Sequence, residues 1–102
     1  MFKYRDNLYI SPSIKNVNKV KLKLRLGRGM FSVYLIVFND ESGKLEYFHN
    51  SLLKQTILYK REYDVVGLAT NVDECIDIIK NILESSYNLY GEYNINKYLN
   101  NK

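Results

Sequence analysis

The clearest pattern of apolar and polar positions lies in the C-terminal half of the chain. Val72, Cys75, Ile76, Ile79, Ile82, Leu83, Tyr87 and Tyr90 recur at i, i+3, i+4 and i+7, the period of one helix face. Asn71 precedes the stripe with Glu74 three residues on, a pairing suited to an N-cap, and Asp73 and Glu74 sit favourably against the helix dipole. Gly91 suits the residue just past a helix end. These signals predict a helix over about 72–90, with Val72, Cys75, Ile76, Ile79, Ile82 and Leu83 buried on one face. Ahead of it, Asp64-Val-Val-Gly-Leu-Ala-Thr70 reads as a short buried strand. Gly67 within it marks first a close packing approach and only second part of a ligand pocket. Beyond Gly91, Asn94 is positioned to cap a short helix over 95–99, followed by a polar tail.

In the middle, Phe31 to Phe38 is too uniformly apolar for a half-exposed strand and predicts a central one covered on both faces. Asn39-Asp-Glu-Ser-Gly-Lys44 is turn chemistry, and Leu45 to Phe48 returns antiparallel. Residues 49–62 have no clean period, apart from one helical turn suggested over 51–55.

The N-terminal third is ambiguous. Leu8-Tyr9-Ile10 reads as a strand, and Ser11-Pro12-Ser13 or Asn16 can open a helix. Lys19 to Leu26 alternates without a fault, apolar at 20, 22, 24 and 26 and basic at 19, 21, 23 and 25, as a half-buried strand would. Yet Leu, Lys and Arg are helix formers, and Gly27 suits a helix end with Lys23 and Arg25 in the last turn. The helix is preferred over 16–26, against the vote of periodicity alone. The expected fold is one α+β domain over residues 1–102, a small antiparallel or mixed sheet packed by a long C-terminal helix and an N-terminal helix.

The Leu-Tyr-Ile opening, Lys-Leu-Arg-Leu-Gly-Arg-Gly, the Val-Tyr-Leu-Ile-Val strand and Val-Val-Gly-Leu-Ala running into an acidic-capped helix resemble a group of small hypothetical proteins from low-GC Gram-positive bacteria. The resemblance spans about residues 8–99. It implies a small α+β domain and a helical 16–26, and attaches no activity.

Composition changes the picture mainly by exclusion. One cysteine and one histidine allow neither an internal disulfide nor a Cys/His zinc cage, and no D-x-D-x-D-G calcium loop occurs, so no metal or cofactor is expected. The longest apolar run, within Val33 to Phe38, falls far short of a membrane span, and the N-terminus lacks a secretory h-region. A cytoplasmic protein is the expectation. Asn, Lys, Tyr and Ile supply 42 of 102 residues, as A/T-rich codons would, so abundant lysine and tyrosine carry little weight. The distribution of charge carries more: +7 over residues 1–30, zero over 31–62 and −3 over 63–102. That polarity, with an uncovered sheet edge, favours a homodimer over a monomer, through an edge strand or the Tyr87, Tyr90, Tyr93 and Tyr98 segment.

Lys15, Lys19, Lys21, Lys23, Arg25 and Arg28 are the one cluster with an evident destination, phosphate, and Tyr4, Tyr9 or Tyr59 could stack on bases. Such a face suits nucleic acid or an acidic protein partner, though it also reads as an ordinary solvated face. Gly27-Arg28-Gly29 invites an anion as well, but a plain turn fits it better. His49 is the weak catalytic candidate. A hydrolytic triad would need Ser51, Ser13 or Cys75 beside it and an acid such as Asp64, without any G-x-S-x-G elbow, so a polar strand-end histidine is the simpler reading. Asp73, Glu74 and Asp77 already have a capping role, and Cys75 lies on the inward stripe. The favoured function is a small non-catalytic binding or accessory protein, with a nucleic-acid module and a His49 hydrolase as alternatives.

Overall fold

In the computed structural model, which describes residues 2–26, 32–54, 62–91 and 94–101, the chain runs β1 (Phe2–Ile10), α1 (Val17–Leu26), β2 (Tyr34–Asn39), β3 (Lys44–His49), a 3₁₀ turn (Asn50–Lys54), β4 (Tyr63–Ala69), α2 (Val72–Tyr90) and α3 (Ile95–Asn101). The strands form one sheet in the order β1-β4-β2-β3. β1 is parallel to β4, while β2 is antiparallel to both β3 and β4, so the sheet is mixed and the fold is α+β.

Each helix begins on an asparagine. The side chains of Asn16, Asn71 and Asn94 accept the backbone N–H groups of Lys19, Glu74 and Lys97 at 3.0, 2.9 and 3.1 Å, satisfying donors that a helix start leaves open. Asn39 does the same for the hairpin, accepting from Glu41 N–H, and Gly43 takes the positive φ of 69° that the turn needs.

Helix wins over strand at 17–26 because tertiary packing selects the helical face. Leu24 is 1% exposed among Val33, Leu35, Val37, Tyr63, Val65 and Leu68, with Ile14, Val17 and Val20 beside it, while Leu22 is left 45% exposed. α1 therefore covers one face of the sheet. The other face, with Ile36, Phe38, Val66 and Ala69, is covered by Cys75 and Ile82 of α2 and Ile95 and Leu99 of α3. Cys75 is buried, as its place on the stripe implies.

The expected inward stripe of α2 needs correction. Cys75 and Ile82 are buried and Ile79 and Leu83 half-buried, but Val72 and Ile76 are 36% and 37% exposed. The apolar arc of α2 is wider than its seat on the sheet, so one flank stays at the surface. β1 is also longer than its Leu8-Tyr9-Ile10 core. Its N-terminal half pairs with β4 through Tyr4↔Val65, and pairing resumes at Tyr9↔Gly67 after an irregularity. Near that irregularity Arg5 reaches Asp64 with two bonds of 2.8 and 2.7 Å and Asn100 of α3 with a third of 2.9 Å. Phe31 and Gly27 lie outside the described residues.

Gly67 has the close approach expected of it. A Cβ there would lie 3.1 Å from the Tyr9 carbonyl oxygen and 3.2 Å from Ile36 Cδ1. Denaturant unfolding tests this packing. Ile82→Ala is expected to cost about 2–5 kcal/mol. Ile76→Ala should cost less, because that residue is already partly exposed, and Gly67→Ala should destabilise by crowding Tyr9. A larger loss at Ile76 than at Ile82 would overturn the placement of α2.

Candidate functional site

Parallel pairing of β1 and β4 brings their C-terminal ends side by side, with the Ser11 N–H donating to the Leu68 carbonyl at 3.0 Å. The chain leaving β1 carries Ser11 and Ser13; the chain leaving β4 carries Thr70 and enters α2 at Asn71. Glu74, in the first turn of α2, turns back onto both exits. Its carboxylate accepts the Thr70 N–H at 3.1 Å, the Thr70 hydroxyl at 2.9 Å and the Ser13 hydroxyl at 2.9 Å. Ser13 Oγ also lies 2.6 Å from Thr70 Oγ1 and 2.7 Å from Ser11 Oγ. Hydrogen bonding from Ser11, then the Thr70 backbone, and further from the Ser13 and Thr70 hydroxyls favours the ionised form and pulls the Glu74 carboxyl down from 4.5 to about 2.

Beside this cluster a crevice of about 230 Å³ opens between α1 and the strand ends. Lys15, just ahead of the Asn16 cap, and Lys19 and Lys23 of α1 line it, and Ser13, Ser32 and Thr70 bring hydroxyls to it. Lys21 and Arg25 fall on a different side of α1, where with Phe2, Tyr4, Asn18 and Leu22 they line a groove of about 350 Å³. There Lys21 Nζ stands 4.6 Å from the centre of the Tyr4 ring. The helix thus splits the basic set into two rows. Arg28, Gly29 and Tyr59 lie outside the described residues. Tyr9 faces away from α1 and meets Tyr98 of α3, hydroxyl to hydroxyl at 2.9 Å.

His49 ends β3, next to the crevice through Ser32. Ser32 Oγ lies 2.8 Å from His49 Nε2, and Nδ1 meets the Ser51 N–H at 3.1 Å and Ser51 Oγ at 2.8 Å. A backbone N–H can only donate, so Nδ1 is an acceptor and in the neutral ring Nε2 carries the proton. Ser32 therefore accepts from His49, and its own proton has no acceptor among the described residues. Asp64, named as an acid for His49, is instead bound to Arg5 at the start of β4, while His49 ends β3, which runs parallel to β4 across β2.

The opposite end of the sheet has the opposite sign. A cleft of about 940 Å³ there gathers the carboxylates of Asp6, Asp40, Glu41, Glu46, Glu62 and Asp64 around Lys3 and Arg5. Sequence reading found the lysines but missed Ser11, Ser32 and Thr70. The available signal was small hydroxyl residues directly after two strands and before a third, which gains meaning only once those strands are known to be neighbours.

Compared with known proteins, the chain matches no family model, no curated protein and no solved structure. Among the described residues no helix is long and apolar enough to cross a membrane.

The lowered Glu74 carboxyl gives a pH test. Because its folded value lies below the unfolded one, its contribution to stability is full above about 4.5 and fades as pH falls through about 2. The denaturation midpoint should drop on acidification across that window. Glu74→Gln should lower the midpoint at neutral pH and flatten the drop; an unchanged acid profile would show that the carboxylate is not held as described.

Proposed function

We propose that this is a small non-catalytic binding protein whose ligand carries a phosphate or comparable anionic group, held in the crevice between α1 and the ends of β1 and β4. The observation that carries the reading is that Lys15, Lys19 and Lys23 line one crevice of about 230 Å³ together with the hydroxyl residues Ser13, Ser32 and Thr70. Lysines gathered around one concavity raise the positive potential there, and hydroxyls supply directional contacts. The volume is below the roughly 300–1,000 Å³ typical of pockets for drug-sized molecules, which suits a small ligand.

The groups that catalysis would need are poorly disposed for it. A carboxylate held at about 2 is a weak base at neutral pH, so Glu74 does little to activate Ser13 or Thr70. Burial, with the nearby Glu74 charge, pushes the Cys75 thiol up to about 11, away from thiolate chemistry. His49 has its Nδ1 lone pair occupied by Ser51 and its Nε2 proton directed at Ser32, the reverse of a base drawing a proton from a serine.

A nucleic-acid strand is the second reading, favoured by the Lys21–Tyr4 contact and by Arg25 in the groove on the other side of α1. Two titrations at low ionic strength, followed by amide NMR, separate the readings. Inorganic phosphate should shift Ser13, Ser32 and Thr70. Changing Lys15, Lys19 and Lys23 together to Gln should weaken that binding by about tenfold or more, while the Lys21→Gln, Arg25→Gln pair leaves it nearly intact. For an oligouridylate the second pair should matter as much as the first, and binding should fall steeply with salt. No response to phosphate at low salt would overturn the crevice as an anion site.

A further inference from the structure

His49 is oriented by three neighbours. Its ring meets the Tyr34 ring edge-on, with centres 5.1 Å apart and planes at 76°. Nδ1 accepts the Ser51 N–H at 3.1 Å, and Nε2 stands 2.8 Å from Ser32 Oγ. The serine is placed by its backbone as well, because the next residue is clipped twice to Asn50: the Val33 N–H donates to Asn50 Oδ1 and the Val33 carbonyl accepts the Asn50 N–H, both at 2.9 Å. An exposed serine hydroxyl ordinarily turns about its Cβ–Oγ bond and has no set direction. Here the neutral imidazole donates from Nε2, which occupies one acceptor direction of Ser32 Oγ and turns its O–H away from the ring. Ser32 is exposed and lines the crevice with Lys15, Lys19 and Lys23; His49 does not line it. Lysines attract an anion as flexible point charges and fix its position poorly. Ser13 and Thr70 keep their protons within the Glu74 network, so Ser32 is the lining hydroxyl with a proton left to direct.

We propose that His49 is a positioning residue of the anion site: it touches no ligand itself, but holds the Ser32 hydroxyl as a donor, and Ser32 donates a hydrogen bond to an oxygen of the bound anion. This rests on the anion-binding reading above and adds how the site directs its ligand. A hydroxyl that accepts from His49 while donating to an anion is polarised in one sense by both bonds, so each strengthens the other.

Inorganic phosphate, titrated into the full-length protein at low ionic strength and about pH 8, above the ordinary imidazole range, tests it by amide NMR. Ser32→Ala should weaken binding about fivefold, the worth of one net hydrogen bond. His49→Phe, which keeps a ring beside Tyr34 but neither nitrogen, should weaken it about threefold, and should add nothing when Ser32 is already Ala, because its effect passes through that hydroxyl. His49→Gln should bind nearly as tightly as the native protein, since a carboxamide offers a donor to Ser32 and an acceptor to the Ser51 N–H. The imidazole nitrogen resonances supply a readout that a purely structural histidine would not: they should show the Nε2–H tautomer, with Nε2 moving on phosphate addition in the native protein and staying still in Ser32→Ala. An Nδ1–H tautomer, native affinity in Ser32→Ala, or an equal loss from His49→Phe with and without the Ser32 hydroxyl overturns the positioning role and leaves the anion site standing. Should His49→Phe fail to fold, His49→Gln and the tautomer decide the matter alone. Failure of phosphate to bind the native protein at low salt overturns both readings.

Discussion

β4 must be covered on both faces, and the rest of the molecule is arranged around that requirement. Val65 and Leu68 point to one layer, Val66 and Ala69 to the other, and all four are at most 1% exposed. A strand apolar on both sides gains its stability only when helices pack above and below it. α1 meets one need and α2 with α3 the other. Pairing with β1 and β2 along its two edges leaves β4 no backbone edge at the surface. Between Ile36 and Val37 of β2 the register with β4 shifts, and Val66 and Gly67 both turn towards the α2 side. A Cβ at that point would press on the Tyr9 carbonyl and Ile36 more closely than ordinary packing does.

The site inherits its geometry from the same strand. Because β1 runs parallel to β4, residues 11–13 and 70–74 emerge together although 57 to 61 positions separate the bonded pairs. An antiparallel β1 would have sent Ser13 to the acidic end of the sheet. The Glu74 carboxylate, in the first turn of α2, then holds both exits: it binds Thr70 just ahead of the Asn71 cap and, through Ser13, ties the loop leading to α1. α1 in turn sets which lysines face the crevice. A change to the α2 cap should therefore be felt at the basic row, through Ser13 and the β1–α1 connection.

Legibility in the sequence followed how local each cause was. α2 and its asparagine cap, the β2–β3 hairpin and β4 rest on periodicity, turn residues and short-range capping, and all were readable. The 17–26 segment was not decided by period, since its perfect alternation favours a strand. What decides it is packing with residues far along the chain, Leu24 in one buried cluster with Val65 and Leu68, together with the Asn16 cap. The exposure of Val72 and Ile76 had the same character, because how much of an apolar arc is covered depends on where the helix lies across the sheet. For the site, the cations stood out as a cluster, but their division into two rows required the helical phase. The hydroxyls were anonymous serines and a threonine until the parallel pairing brought them together.

Hydrogen-bond direction adds what residue type alone does not give. A serine is donor and acceptor at once, so a sequence can count hydroxyls without saying which sense each one presents. Here the sense is fixed by what stands behind each hydroxyl. The ionised Glu74 carboxylate accepts hydrogen bonds from Ser13 and Thr70; a histidine whose other nitrogen is held by the Ser51 backbone N–H donates one to Ser32. Hydroxyls of like chemistry around one small crevice thus differ in what they have left: Ser32 keeps its proton to donate, while the protons of Ser13 and Thr70 stay within the Glu74 network. That difference comes from Glu74 and His49, neither of which lines it.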